Sequence, residues 1–346
     1  MSSPPVTPVG PAHLRGVIAP MLARSITAFP QACPGTLAYE PKLDGFRCLA
    51  VLTGDHTVRL QSRRGARLND AFPEVAAAIA AHVPPHTVLD GEIVCWAPTG
   101  RLDFGALQRR NTAGHRQAAL LARSAPCHYA AFDLLRGDGL DVRDRPLSVR
   151  RAMLEELFAA LPSAGVLALG MHTRQEDTAR GWYASMHVAG VEGLVIKPVG
   201  SRYQGGVRGW MKLKYRSSAE AVAGGFTGPA RRPETLLLGR FDEQGRLRVV
   251  GRTTRLGGRA AAEIAPLLTP ALGAHPWPVP LPPGWAGGPY GRRDPIAYTR
   301  IRPELVVEIL ADTARDKGRH RHPVRLLRPR PDLDPAHVAG PDDAVA

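Results

Sequence analysis

Lysine is nearly missing from this chain. Among 346 residues it occurs only at Lys42, Lys197, Lys212, Lys214 and Lys317, while the other forty basic residues are arginine. Positive charge is therefore supplied almost wholly by guanidinium groups. Each lysine becomes a candidate for what a guanidinium cannot do, which is to release a proton and attack an electrophile. Cysteine is scarce too. Cys33, Cys48, Cys95 and Cys127 form no C-x-x-C and no closely spaced Cys/His pair, so neither a zinc site nor a disulfide framework is indicated and free thiols are expected. Long apolar runs are absent: the longest uncharged stretch, 265–291, is broken by prolines and does not suit a membrane-spanning helix. The start, Met1 to Pro11, is Pro-rich and polar and has no basic-then-apolar leader, so a cytoplasmic location is expected. No lysine follows a glycine, which excludes a phosphate-binding P-loop.

The remaining composition is that of an ordinary globular chain, with 44% hydrophobic and 22% charged residues. The charge balance is not ordinary. A formal net charge of +14 points to a polyanionic partner, usually nucleic acid. The length suits about two domains.

Residues 1–30 read as an arm, with a short helix near His13 to Arg24. From residue 36 to about 216, β-branched and aromatic runs alternate with helical ones. Asp70 is placed to cap a helix reaching His82, Ser148 to cap another, and a third is expected over Asp177 to Ala189. This pattern predicts an α+β domain of antiparallel sheets with flanking helices. After Ser217 come short strands, one helix near Arg259–Leu268 and a Pro/Gly-rich stretch, which fits a small β-barrel of the oligonucleotide-binding type over 217–334. Residues 335–346 read as a flexible acidic tail. The run His320-Arg321-His322-Pro323 is expected to be a surface turn or a set of phosphate contacts.

Four of the five lysines fall in segments that also carry carboxylates or lie on apolar strands. The first is Glu40-Pro41-Lys42-Leu43-Asp44-Gly45-Phe46-Arg47, where a lysine stands at a turn between two strands and Gly45 lets the backbone approach a ligand. Neighbouring cations would lower the pKa of such an amine. Leu89-Asp90-Gly91-Glu92-Ile93-Val94 places a Glu on a buried strand, and Phe132-Asp133 lies on another. Glu192-Gly193-Leu194-Val195-Ile196-Lys197 has a carboxylate and a lysine at opposite ends of an apolar strand. In Trp210-Met211-Lys212-Leu213-Lys214 the two lysines share a face, because alternate strand residues point the same way.

In this order the segments resemble the motifs of the covalent nucleotidyltransferase superfamily, and within it the ATP-dependent DNA ligases of the small two-domain bacterial type. Ser62-Arg63-Arg64-Gly65, Phe72-Pro73-Glu74 and Phe104-Gly105-Ala106-Leu107-Gln108-Arg109-Arg110 are also similar to ligase segments, and the resemblance covers about residues 15–330. It implies a nucleotidyltransferase (adenylation) domain over 1–216, followed by an OB-fold that grips DNA. It also implies roles. Lys42 would attack the α-phosphorus of ATP and carry AMP. Glu40 would recognise the adenine amino group and Phe132 would stack on the base. Arg47, Arg63 and Glu92 would hold the ribose and its surroundings. Glu192, helped by Glu92, would bind Mg²⁺ or Mn²⁺, and Lys197, Lys212 and Lys214 would neutralise the α-phosphate. Arg330 and Asp332 match the last family motif, in which Leu333 stands where the family has lysine.

The implied activity is sealing of nicks in duplex DNA by a monomeric repair enzyme. Two other readings share some of these features. An RNA ligase or RNA-capping guanylyltransferase shares the lysyl-nucleotide chemistry. A non-catalytic basic DNA-binding protein would explain the net charge but has no use for scarce lysines at fixed places. The resemblance also implies that the two halves turn about a hinge at Tyr215 to Ser218.

Overall fold

The computed structural model describes residues 18–161, 165–273, 275–286, 294–316, 318–338 and 340. Two compact units divide the chain between Lys214 and Tyr215.

The first unit is built on two sheets. One contains β1 (Ala23–Ile26), β2 (Leu37–Pro41), β9 (Gly193–Pro198) and β10 (Trp210–Lys214), in the order β1-β10-β9-β2. The other contains β3 (Phe46–Leu52), β4 (Val58–Ser62), β5 (Val88–Cys95), β6 (Cys127–Gly137) and β7 (Leu140–Asp141), in the order β4-β3-β5-β6-β7, with β8 (Leu167–Leu169) parallel to β6. Helices α1 (Pro73–His82), α2 (Phe104–Thr112), α3 (His115–Ser124), α4 (Leu147–Ala159) and α5 (Glu176–Ser185) complete the unit.

Alternation along the strands gives each sheet two distinct faces. Leu37, Tyr39, Leu194, Ile196, Met211 and Leu213 pack on one side of the first sheet against Ala179 of α5. Val195 and Trp210, on its other side, pack against Leu49, Val51, Val88, Leu135 and Phe132 of the second sheet. The remaining face of the second sheet buries Ala50, Leu60, Leu89 and Tyr129 against the apolar side of α1, where Val75 and Ile79 lie. Polar residues that share the inner faces are thereby directed into the space between the sheets.

The predicted element types agree with the structure over most of this unit, and the differences have local causes. The expected arm is structured from Ile18 onward: Met21 is buried, and Ala23–Ile26 is a strand parallel to β10 where a helix was expected over its first part. Of the rest of that expected helix, residues 18–22 are irregular and 13–17 lie outside the described residues. Asp70 does not cap α1, which starts after Phe72 with Pro73 in the first turn, where a missing N–H costs nothing. Ser148 lies inside α4 rather than at its cap, and its N–H bonds to the carbonyl of Val199 at 3.0 Å. Helix α3 has no counterpart in the apolar pattern because only Ala118 of it is buried.

The second unit is an OB-fold. Its strands β11 (Arg216–Thr227), β12 (Thr235–Phe241), β13 (Leu247–Arg252), β15 (Val306–Asp312) and β18 (Arg325–Pro329) run in the order β13-β12-β11-β15-β18, and the short β14 (Thr299–Arg300) pairs with β11. Helix α6 (Gly258–Ile264) packs on its core through Ile264. The register of β11 shifts at Gly224, where a Cβ would lie 2.4 Å from the Trp277 ring, so a glycine is required for that indole to reach the core. The chain does not leave the barrel as a free tail at 335. A single 3-10 turn spans Pro335–His337, Val338 is buried beside Trp277, and Arg240 donates to the carbonyl of Gly340 at 3.4 Å.

His320 is not on a surface turn. It lies in β17 (Arg319–His320), paired with β16 (Arg315–Asp316), and is 2% exposed. Burial first, then the cations Arg315 and Arg240, push its pKa down to about 4, with Asp312 opposing. A histidine whose folded pKa lies below its unfolded value contributes stability above the unfolded pKa and loses it as pH falls. This contribution, about 3 kcal/mol, should disappear between pH ~6.5 and ~4. His320→Phe is expected to flatten the acid limb of unfolding free energy against pH. An unchanged slope would assign that limb to other groups.

Candidate active site

Strands β2 and β3 are consecutive in the chain but lie in different sheets, so Lys42–Gly45 is the crossing between them. Its backbone is fixed to the start of β9. The Lys42 N–H donates to Gly193 O at 2.8 Å, and the Glu192 N–H donates to Lys42 O at 2.8 Å. The Lys42 ammonium then donates to the Glu192 carboxylate in a short contact, and Lys214 Nζ stands 3.9 Å from the same oxygen. Main chain and side chain thus join Lys42 to Glu192 across 150 residues of sequence.

Gly45 is needed for a close approach, but to protein rather than to a ligand. A Cβ there would lie 2.3 Å from the Ile93 carbonyl and 2.7 Å from Cγ of Glu92. The small residue brings β3 against β5 and sets Glu92 beside the lysine.

The expectation of cations lowering the Lys42 pKa is reversed. Burial pulls it down, but Glu192, Glu92 and Asp44 together hold it above the ordinary lysine value. The lysine pushed down is Lys212, by burial and then by Lys42, Lys214, Arg63 and Arg208. Glu92 is pushed up to about 8 by burial, against the attraction of Lys42 and Arg47, with Asp44 and Asp90 adding to the rise. One small region therefore combines a protonated lysine, two carboxyl groups of which Glu92 holds its proton near neutral pH, and several cations. Such a region suits a polyphosphate, which brings negative charge to the cations.

A second group lies deeper between the sheets. Lys197 is 1% exposed, with Nζ 2.6 Å from Glu40 Oε2. The same ammonium stands 4.4 Å from the Phe132 ring centre and 4.2 Å from that of Trp210. Sequence reasoning assigned Lys197 to the α-phosphate; the structure places it with Glu40 and the aromatic pair. His172 Nδ1 is 3.3 Å from the other Glu40 oxygen. Burial alone would raise the Glu40 pKa, but Lys197 and His172 outweigh it and keep the carboxyl below its usual value.

Arg47 is largely committed to its surroundings. It bonds Asp90 through Nε at 3.0 Å and Nη2 at 2.6 Å, and donates to Met21 O at 2.5 Å and to Tyr203 Oη at 3.4 Å. Its guanidinium carbon lies 5.5 Å from the Phe132 ring centre. Arg63 is exposed, on the turn after β4. Among described residues no cluster of three or more His, Cys, Asp or Glu side chains could hold a metal ion. Glu192 and Glu92 still fit Mg²⁺, a hard cation commonly held by one or two carboxylates plus water and phosphate oxygens.

In the second unit Arg330 and Asp332 bond each other, with Nε–Oδ1 at 2.9 Å and Nη2–Oδ2 at 2.8 Å. Leu333, standing where the family has lysine, packs against the cluster around Trp277. An apolar side chain is what that position accommodates. Sequence reasoning missed Arg208 and His172. Arg208 is one arginine among forty, and His172 is identifiable only from strand register.

The description "ATP dependent DNA ligase domain" fits residues 20–214 as a family match. DNA ligase C of Mycobacterium tuberculosis is 34% identical over 340 residues, covering 92% of this chain and 91% of that protein. The multifunctional non-homologous end joining DNA repair protein LigD of M. tuberculosis is 31% identical over 87% of this chain, but that region is only 37% of LigD. Among solved structures, a Lig E DNA ligase superposes with a TM-score of 0.54 over 90% of this chain and all of its own, at 17% identity, a likeness of fold. The matched segment contains Lys42, Glu192 and every lysine of the cleft, and the similarity to DNA ligase C continues through the barrel. The chain belongs to the ATP-dependent DNA ligases.

Proposed function

We propose that this ligase seals nicks in duplex DNA through an AMP carried on Lys42. The observation that supports it best is the double attachment of Lys42 to Glu192, through main chain and side chain, with Lys214 Nζ 3.9 Å from the same carboxylate oxygen. The Lys42 amine attacks the α-phosphorus of ATP, a P–N bond forms, and the bond to pyrophosphate breaks. Before attack Nζ must lose a proton, and Glu192 Oε2, already its acceptor, is the nearest place for it. Lys212 and Lys214, on one face of β10, with Arg63 and Arg208, offset charge growing on the phosphates.

Glu40, kept anionic by Lys197 and His172, accepts from the adenine amino group, and Phe132 stacks on the base. Arg47 acts by holding Asp90 and the floor beneath Phe132, with any ribose contact secondary to that. Glu192 and Glu92 hold a divalent cation, Mg²⁺ or Mn²⁺, which supplies Lewis-acid polarisation of the phosphate when bound. AMP then passes to a 5′-phosphate, and the neighbouring 3′-hydroxyl displaces it. The Arg-rich barrel, with Arg330 and Asp332, grips the duplex after turning about Tyr215–Ser218. The protein works as a cytoplasmic monomer in DNA repair, a setting named for its relative LigD.

Incubation with ATP and Mg²⁺ should add one adenylate by intact mass, mapped to the Lys42 peptide, and nicked duplex DNA should then be joined. An unmodified protein, or label at another lysine, would refute the assignment. Sealing of nicked RNA in preference to DNA would favour an RNA ligase.

Phe132→Ala is expected to raise the KM for ATP about tenfold, because stacking of a base on an aromatic ring is worth ~1–3 kcal/mol. An unchanged KM would leave Phe132 as packing for Trp210 alone.

A further inference from the structure

We infer that His172 is a positioning residue that sets the enzyme's preference for adenine by fixing the Glu40 carboxylate. The inference rests on the reading of Glu40 as the contact to the base. After β8 the chain leaves the second sheet and comes alongside the edge strand of the first. Tyr39 and Thr173 exchange both backbone hydrogen bonds, N to O at 2.8 Å and 3.0 Å. In an antiparallel pair the next residues in register are Glu40 and His172, whose side chains share a face. Glu40 is thus flanked on both sides, by His172 across this bridge and by β9, which carries Lys197, across the other.

The two flanking groups hold different oxygens. Lys197 Nζ forms an ion pair with Oε2 at 2.6 Å without hydrogen-bond geometry, and His172 Nδ1 hydrogen-bonds Oε1 at 3.3 Å. An ionised carboxylate only accepts, so Nδ1 carries the proton and donates. With one oxygen ion-paired and the other hydrogen-bonded, rotation of the carboxylate is restrained and its remaining lone pairs are oriented. An anionic acceptor so fixed accepts from the exocyclic amine of adenine. Guanine presents a carbonyl oxygen at that position, which sets lone pair against lone pair. Lys197 supplies most of the charge, while the oriented donor on Oε1 comes from His172. Its imidazole is 12% exposed, poised at the edge of the cleft rather than sealed in the core.

The test compares self-adenylation kinetics of the full-length wild type, His172→Phe, His172→Asn and His172→Gln with ATP and with GTP. Phenylalanine keeps the ring and cannot donate, the asparagine amide can donate near the Nδ1 position, and glutamine reaches the Nε2 position instead. Loss of a hydrogen bond to a charged group is expected to raise the KM for ATP about tenfold in the Phe and Gln variants, and to lower ATP-over-GTP selectivity by about the same factor. Their rate at saturating ATP should stay within about threefold of wild type, because Lys42 and Glu192 are untouched. The Asn variant should regain most of the KM and the selectivity. If His172→Phe does not fold, the Asn–Gln comparison decides. Wild-type KM and selectivity in the Phe or Gln variant, or equal behaviour of Asn and Gln, would overturn the role of His172. Absence of adenylation in the wild type would instead overturn the ligase chemistry on which it rests.

Discussion

Lys42→Arg is expected to abolish self-adenylation, a loss of more than about a thousandfold, while leaving the protein folded. Charge and approximate reach survive in arginine, so the ion pair to Glu192 can persist. The nucleophilic lone pair does not, because a guanidinium stays protonated in proteins. Folding should be spared for a structural reason. The hydrogen bonds that attach this crossing to β9 come from the main chain of Lys42, Glu192 and Gly193, and the Lys42 side chain is 24% exposed. The same variant should still join a nick whose 5′-phosphate already carries AMP, since that step needs no lysine nucleophile. Mass spectrometry after incubation with ATP reads the first outcome, and gel-resolved joining of a pre-adenylated nick reads the second. An adenylated arginine variant would move the nucleophile elsewhere, with Lys212, the lysine of lowered pKa, the first place to look.

Much of this site was legible from residue scarcity and strand alternation. Five lysines in 346 residues made Lys42, Lys212 and Lys214 conspicuous, and period-2 alternation put Lys212 and Lys214 on one face, as found beside Trp210. The strands from β2 to β6 were readable because their β-branched and aromatic content is bounded by turn residues. Three features were not legible, and each depends on what lies opposite in space. The sign of the Lys42 shift is set by Glu192, just before β9, and Glu92, on β5, both far away in the chain. Local sequence offers no way to rank those carboxylates against the arginines. The place of Lys197 follows from β9 lying beside β2, which sends its ammonium to Glu40 instead of the phosphate site. The partnership of His172 depends on a two-residue bridge that no periodicity announces. Helix starts failed for another reason. A side-chain cap is one option among several, and at α1 and α4 a proline sets the start instead.

Glu192→Gln should show two effects of opposite sign, and their separation makes it the more informative variant. The amide keeps the shape and the backbone bonds to Lys42, but loses the anion. Without that charge the largest attraction raising the Lys42 pKa disappears, so a greater fraction of the amine is neutral at a given pH. Taken alone, this would speed attack. The lost anion is also the proposed cation ligand and the acceptor for the Lys42 proton, and nothing in an amide replaces either. The second effect should win, lowering the adenylation rate at neutral pH by about a hundredfold or more, as for loss of a group that stabilises developing charge. The first effect should remain visible in the residual activity. An amine held protonated reacts faster as pH rises toward its pKa, so the rising limb of the rate–pH profile should lie at lower pH in the variant than in wild type. Mg²⁺ dependence of the rate should weaken in parallel. A rate near wild type with unchanged Mg²⁺ dependence would transfer the cation to Glu92. A low rate with an unmoved pH limb would mean that Glu192 does not hold the Lys42 proton in the working enzyme.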